Sequence, residues 1–133
     1  MNKMKFEELK PKVKKAMIMS AHLEDESEKE MTFGVEMNIE ELLEEEPPLK
    51  ELRTYLTGLD YEELKIIQSF MLTGRDVENR LEIFSNNDIE EMFERYSDKP
   101  DHAGNSGLVG YMLGKAPFRE YLYYGLRAFE KIR

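Results

Sequence analysis

Apolar residues return every three or four positions along almost the whole chain, the spacing of a helix face that meets a core. Phe6, Leu9, Val13, Met17 and Ser20 or Ala21 form the first stripe. Pro11 falls inside it. Proline lacks an N–H and suits a first turn, so the pattern predicts a helix start near Pro11 after a short helical or irregular lead-in. Glu30 to Met37 breaks the spacing and carries Gly34, which predicts a connecting loop. Asn38 with Glu41 has the form of a capping box, and the helix it opens stops at Pro47–Pro48. The second proline suits the start of the next helix, which carries Leu49, Leu52 and Leu56 and ends at Gly58.

Asp60 and Glu63 repeat the capping-box spacing ahead of a helix from Tyr61 to Thr73. Its apolar face, with Tyr61, Leu64, Ile66, Ile67, Phe70, Met71 and Leu72, is wide enough for the central helix of a domain. Gly74 then reads as a C-terminal glycine cap. Asn87 or Asp88 opens a further helix with Ile89, Met92, Phe93 and Tyr96 on one side. Ser97 to Gly107 is loop by composition. A short helix from Leu108 closes at Gly114, and Pro117 sits in the first turn of the last one. That helix carries Phe118, Tyr121, Leu122, Gly125, Phe129 and Ile132 in a 3.6-residue stripe. No stretch alternates with a period of two, so the fold class is all-α. Tyr55–Gly58 and Tyr111–Gly114 echo each other, through either a repeated helix–turn–helix or the ordinary grammar of αα-hairpins.

Composition changes the picture mainly by exclusion. The chain has 133 residues, a length that fits one domain and buries enough surface to fold without staples. It has no cysteine, which removes disulfides, thiolate nucleophiles and Cys-ligated metal. The N-terminus offers no apolar run of secretory or membrane-spanning type, which makes the cytoplasm the expected compartment. The net charge of −9 is unevenly laid out. Residues 1–15 hold six Lys and two Glu, whereas residues 24–51 hold twelve acids and two lysines.

Chemistry-bearing constellations are few. His22 with Glu24, Asp25, Glu26 and Glu28 offers oxygen ligands but lacks the glycine and spacing of a calcium loop. Asp101, His102 and Ser106 lie near one another in sequence, which is no argument for a triad assembled in space. Arg75–Asp76 follows the central helix, where an arginine suits either an anion or the helix C-terminus. The basic start suits nucleic-acid phosphates, or internal pairing with the Glu40–Glu46 run. Tyr111, Tyr121, Tyr123 and Tyr124 crowd the C-terminal hairpin, where one helix cannot bury all its aromatics. Tyr123 or Tyr124 is therefore a candidate for a partner surface.

Tyr55 to Asp76 (YLTGLDYEELKIIQSFMLTGRD) and Tyr111 to Leu126 (YMLGKAPFREYLYYGL) together resemble a small bacterial domain family of unknown function. Its members look like short all-α proteins with a glycine–arginine step after a central helix. The resemblance spans roughly residues 49–130 and implies a helical fold and a bacterial cytoplasmic setting, with no activity to carry over.

The expectation is therefore one all-α domain over residues 1–133. It is a compact bundle of six or seven short helices, built from αα-hairpins with orthogonal or irregular packing. Its expected role is protein–protein interaction or regulation, with another protein or a second copy in a homodimer. The contact residues would be Arg75, Asp76, Tyr123 and Tyr124, with Glu44 and Glu45 of the acidic Glu40–Glu46 face. The competing reading is a small-molecule binder or enzyme in which Arg75, Asp101, His102 and Tyr111 converge. A third is nucleic-acid contact through the N-terminal lysines. Nothing in the sequence asks for a cofactor, a metal or a membrane.

Overall fold

The computed structural model describes residues 2–33, 47–98, 104–114 and 117–133, with side chains from 2–21 and from 49 onward within those ranges. Helix α1 runs Lys3–Phe33 without a break at Pro11. Asn2 begins it, its Oδ1 accepting the Lys5 N–H at 3.3 Å. The start near Pro11 is thus corrected. A proline in a helix interior costs about 3 kcal/mol, but here its ring is exposed. Phe6 and Leu9 before it are buried in the same core as Val13 and Ala16 after it. Burial of one large apolar side chain yields about 1.5–3 kcal/mol, so two such residues hold the leading turns in register. Glu30–Phe33 is helical too, against the expected loop. The Asn38–Glu46 helix lies outside the described residues.

Helix α2, Pro47–Thr57, closes where the Gly58 N–H meets the Thr54 carbonyl at 3.1 Å. Helix α3, Tyr61–Val77, starts at the expected box, with the Asp60 N–H donating to Glu63 Oε1 at 3.3 Å. Gly74 does not end it. The helix runs one turn further and stops at Glu78, whose φ of 39° is left-handed and whose N–H donates to the Gly74 carbonyl at 2.8 Å. A 3₁₀ turn, Leu81–Ile83, leads to α4, Asn86–Asp98. Its cap is Ser85 rather than Asn87 or Asp88. Ser85 Oγ accepts the Asp88 N–H at 3.0 Å, and Asp88 Oδ2 accepts the Ser85 N–H at 3.2 Å. The span expected as loop, Ser97 to Gly107, begins inside α4 and ends inside α5, Gly104–Leu113. Helix α6, Phe118–Ile132, has Pro117 as its N-cap, just ahead of the first turn in which it was expected.

All of these elements are helical, and one hydrophobic cluster draws on all six α-helices. At its centre Phe6, Phe70, Phe93 and Phe129 come from α1, α3, α4 and α6. All their pairs lie within 6.3 Å between ring centroids, mostly tilted or edge-to-face. Helix α3 is the central one, contacting α1, α4, α5 and α6. Helices α1 and α6 run antiparallel side by side. The Lys3 ammonium reaches the Ile132 carbonyl at 2.8 Å, Lys10 pairs with Glu130, and Arg133 pairs with Glu7 at 3.2 Å.

Candidate functional site

The side-by-side placement of α1 and α6 creates an open groove of about 740 Å³. The inner stripes of both helices are spent on the core. The rows just beside them are left to line the groove: Lys10, Lys14, Met17 and Ile18 on α1, and Tyr123, Arg127, Glu130 and Lys131 on α6. Each row steps by four, then by seven and eight, the spacing of one helix edge. Leu81 of the 3₁₀ turn and Leu126 complete an apolar floor. Ile18 is 65% exposed and Tyr123 47%, which is high for large apolar side chains beside a core.

The charge of the groove runs opposite to that of the chain. Lys10 is engaged by Glu130 and Glu7. Lys14 has no carboxylate partner among the described residues. Arg127 lies over the Tyr123 ring, 5.9 Å from its centroid, without an acid there either. The Lys131 ammonium donates to the Leu81 and Phe84 carbonyls at 3.2 and 2.5 Å and has no carboxylate partner among the described residues. Three cations thus flank an apolar floor in a protein of net charge −9.

The expected site residues are only partly brought together. Tyr123 lines the groove, and Tyr124, half-buried, lies 5.6 Å from it ring to ring. Tyr111 is 44% exposed on α5, away from the groove lining. Arg75 and Asp76 close a ring with Tyr96 of α4. The Arg75 guanidinium donates to Asp76 Oδ1 at 3.1 and 3.2 Å and to the Tyr96 hydroxyl at 3.2 Å, and that hydroxyl donates to Asp76 Oδ2. Burial first, and then the bond to Asp76, push the Tyr96 phenol above its usual value. This ring ties α3 to α4 and satisfies its own members. Asp101, His102, Glu44 and Glu45 lie outside the described residues.

Four of the N-terminal lysines, Lys3, Lys5, Lys10 and Lys12, hold acids of the described helices, and the Glu40–Glu46 run lies outside the described residues. Lys3 pairs with Glu90 and Lys5 with Glu62, both at 2.7 Å, and Lys12 with Glu63. Lys15 stacks over Tyr55 at 4.4 Å. A smaller cleft of about 380 Å³ lies between the start of α1, the start of α3 and the end of α4. Its ammonium groups are engaged, Lys5 by Glu62 and the buried Lys65 by Gln68 Oε1 at 2.7 Å. Among the described residues no group of three or more His, Asp or Glu is placed to hold a metal ion, and no helix is long and apolar enough to cross a membrane.

Sequence reasoning gave Ile18, Arg127 and Lys131 no role, and took Lys14 only as one of the six lysines of the basic start. Each helix shows a row of cations beside its apolar stripe, but the groove exists only because two helices over a hundred residues apart lie together. No family model, curated protein or solved structure matches the chain, so the resemblance over residues 49–130 assigns no family and the site rests on its own geometry.

Proposed function

We propose that this chain is a protein-interaction module that works through the α1/α6 groove rather than by catalysis. The observation that carries the reading is the exposure of Ile18 and Tyr123 over an unfilled apolar floor. Exposed apolar surface in a concave setting with a charged rim is the usual signature of a docking site. The small-molecule reading loses support because Arg75 is turned onto Asp76 and Tyr96. The nucleic-acid reading loses support because Lys3, Lys5, Lys10 and Lys12 already hold carboxylates.

Between self and another protein, the charge of this face favours another protein. A two-fold dimer through the groove would set Lys14, Arg127 and Lys131 against their own copies, since such an interface is self-complementary. Like charges placed opposite one another suppress such pairing. The test is photo-crosslinking in cells with benzoylphenylalanine placed in turn at positions 18, 123 and 4, the last being the exposed Met4, almost four turns before Ile18 and outside the groove lining. The reading expects one shared adduct from positions 18 and 123 and none from position 4. Adducts that are equal at all three positions, or absent from both groove positions, would end it.

A further inference from the structure

Resting on the groove as a protein-docking face, we infer that its occupant is an acidic amphipathic α-helix of a partner protein. The argument begins with spacing. Arg127 and Lys131 stand four residues apart on α6, so that pair repeats after about 6 Å of helix rise, and Lys14 faces them from α1, where Lys10 is held by Glu130 and Glu7. The lining residues of α1 and α6 flank the apolar floor over about 12 Å, and the three cations stand on its two sides within about one helical turn of it. A single carboxylate on an apolar tail needs one such cation. Cations on both sides of the floor, repeated after one turn on α6, instead match a ligand that carries several negative charges along both edges of an apolar stripe.

An α-helix with aliphatic residues at i, i+3 or i+4, and i+7 has that stripe, and Asp or Glu beside it supplies both edges. Laid between α1 and α6, it would pack as a third helix at the ordinary spacing of 8–10 Å from each. Its aliphatic residues would meet Met17, Ile18, Leu126 and Leu81, with Tyr123 against its backbone edge. Its carboxylates would meet Lys14, Arg127 and Lys131, which hold no carboxylate among the described residues. A flat anionic surface would reach the rim cations but not a recessed floor.

The experiment is a display selection of helical peptides against the immobilised full-length chain, repeated with Ile18→Glu and with the triple reversal Lys14→Glu, Arg127→Glu, Lys131→Glu. Circular dichroism confirms that both variants keep the fold. The expected winners carry an aliphatic stripe flanked by Asp or Glu, fail on Ile18→Glu, and weaken at least about tenfold on the triple reversal and with added salt. Winners that need Ile18 but carry no acids, or ignore the triple reversal, would overturn the acidic helix and leave the groove standing. Winners indifferent to Ile18→Glu would overturn both. Light scattering and anionic phospholipid vesicles supply the remaining arms. A dimer, or vesicle binding, that Ile18→Glu abolishes would also overturn the acidic helix.

Discussion

At the scale of single residues, Gly74 and Gly125 determine how closely the two principal helices approach. A Cβ on Gly74 would stand 1.8 Å from the Tyr121 carbonyl oxygen, and one on Gly125 would stand 2.0 Å from that of Phe70. The contact is reciprocal: Phe70 lies four residues before Gly74, and Tyr121 four before Gly125. Both obstacles are backbone atoms, which cannot swing aside as a side chain can. Gly74→Ala or Gly125→Ala should therefore cost at least about 1–3 kcal/mol in urea unfolding, more than the roughly 1 kcal/mol that alanine gains in a helix. Gly110 is the internal control. Its added Cβ would meet only the end of Arg53 at 4.0 Å, so Gly110→Ala should stabilise by up to about 1 kcal/mol. If all three variants shift stability in the same direction, the close crossing of α3 and α6 is not what these glycines serve.

At the scale of elements, ion pairs fasten the first ten residues of α1, and the clearest is Lys12 with Glu63 at the start of α3. The hydrogen bond from Lys12 holds the Glu63 carboxyl below its ordinary value, helped by the Asp60 N–H. Glu130 is lowered in the same way by Lys10 and then Arg133. A carboxyl that binds its proton more weakly in the folded chain contributes stability in full above the unfolded value, near ~4.3. That contribution is lost as the pH falls through the lower folded value. The partner Lys12 is raised, so its own share is lost only as the pH rises past its ordinary 10.5. Stability should therefore fall as the pH drops below about 5, and more gently in Glu63→Gln than in the parent. Urea midpoints measured across that range check it, and parallel curves would remove Glu63 from the account. Both partners are partly solvated, so the effect should be modest and screened by salt.

At the scale of the whole molecule, the four-phenylalanine centre joins parts of the chain that share no local contact. Phe6 comes from the second turn of α1, yet its ring lies 5.5 to 6.3 Å from those of Phe70, Phe93 and Phe129. Phe6→Ala should cost about 3–5 kcal/mol, the range for a large buried aromatic. Because Phe6 anchors the turns ahead of Pro11, the loss should also release the start of α1. Hydrogen exchange would then show residues 3–10 unprotected while α3 stays protected. Uniform loss of protection would instead mean that α1 and the bundle unfold as one unit. The groove depends on this anchoring as well, since its α1 wall is the next stretch of the same helix.

What the sequence determined by itself is the helical class, the order of most elements and the identity of the central helix. Those properties rest on interactions within a few residues: the 3.6-residue return of apolar positions and caps such as Asp60 with Glu63. They are written locally and are read locally. Even there, Pro11 and Gly74 misled, because each stands where distant packing outweighs the local rule. Proline was tolerated for the sake of Phe6 and Leu9, and glycine was needed for an approaching backbone rather than for a helix end. The groove was further out of reach. Tyr123 drew notice as an aromatic in excess, but Lys14, Arg127 and Lys131 acquire meaning only once α1 and α6 lie antiparallel. Which helices become neighbours is decided by side chains more than a hundred residues apart fitting one core, and that the tertiary structure alone decides.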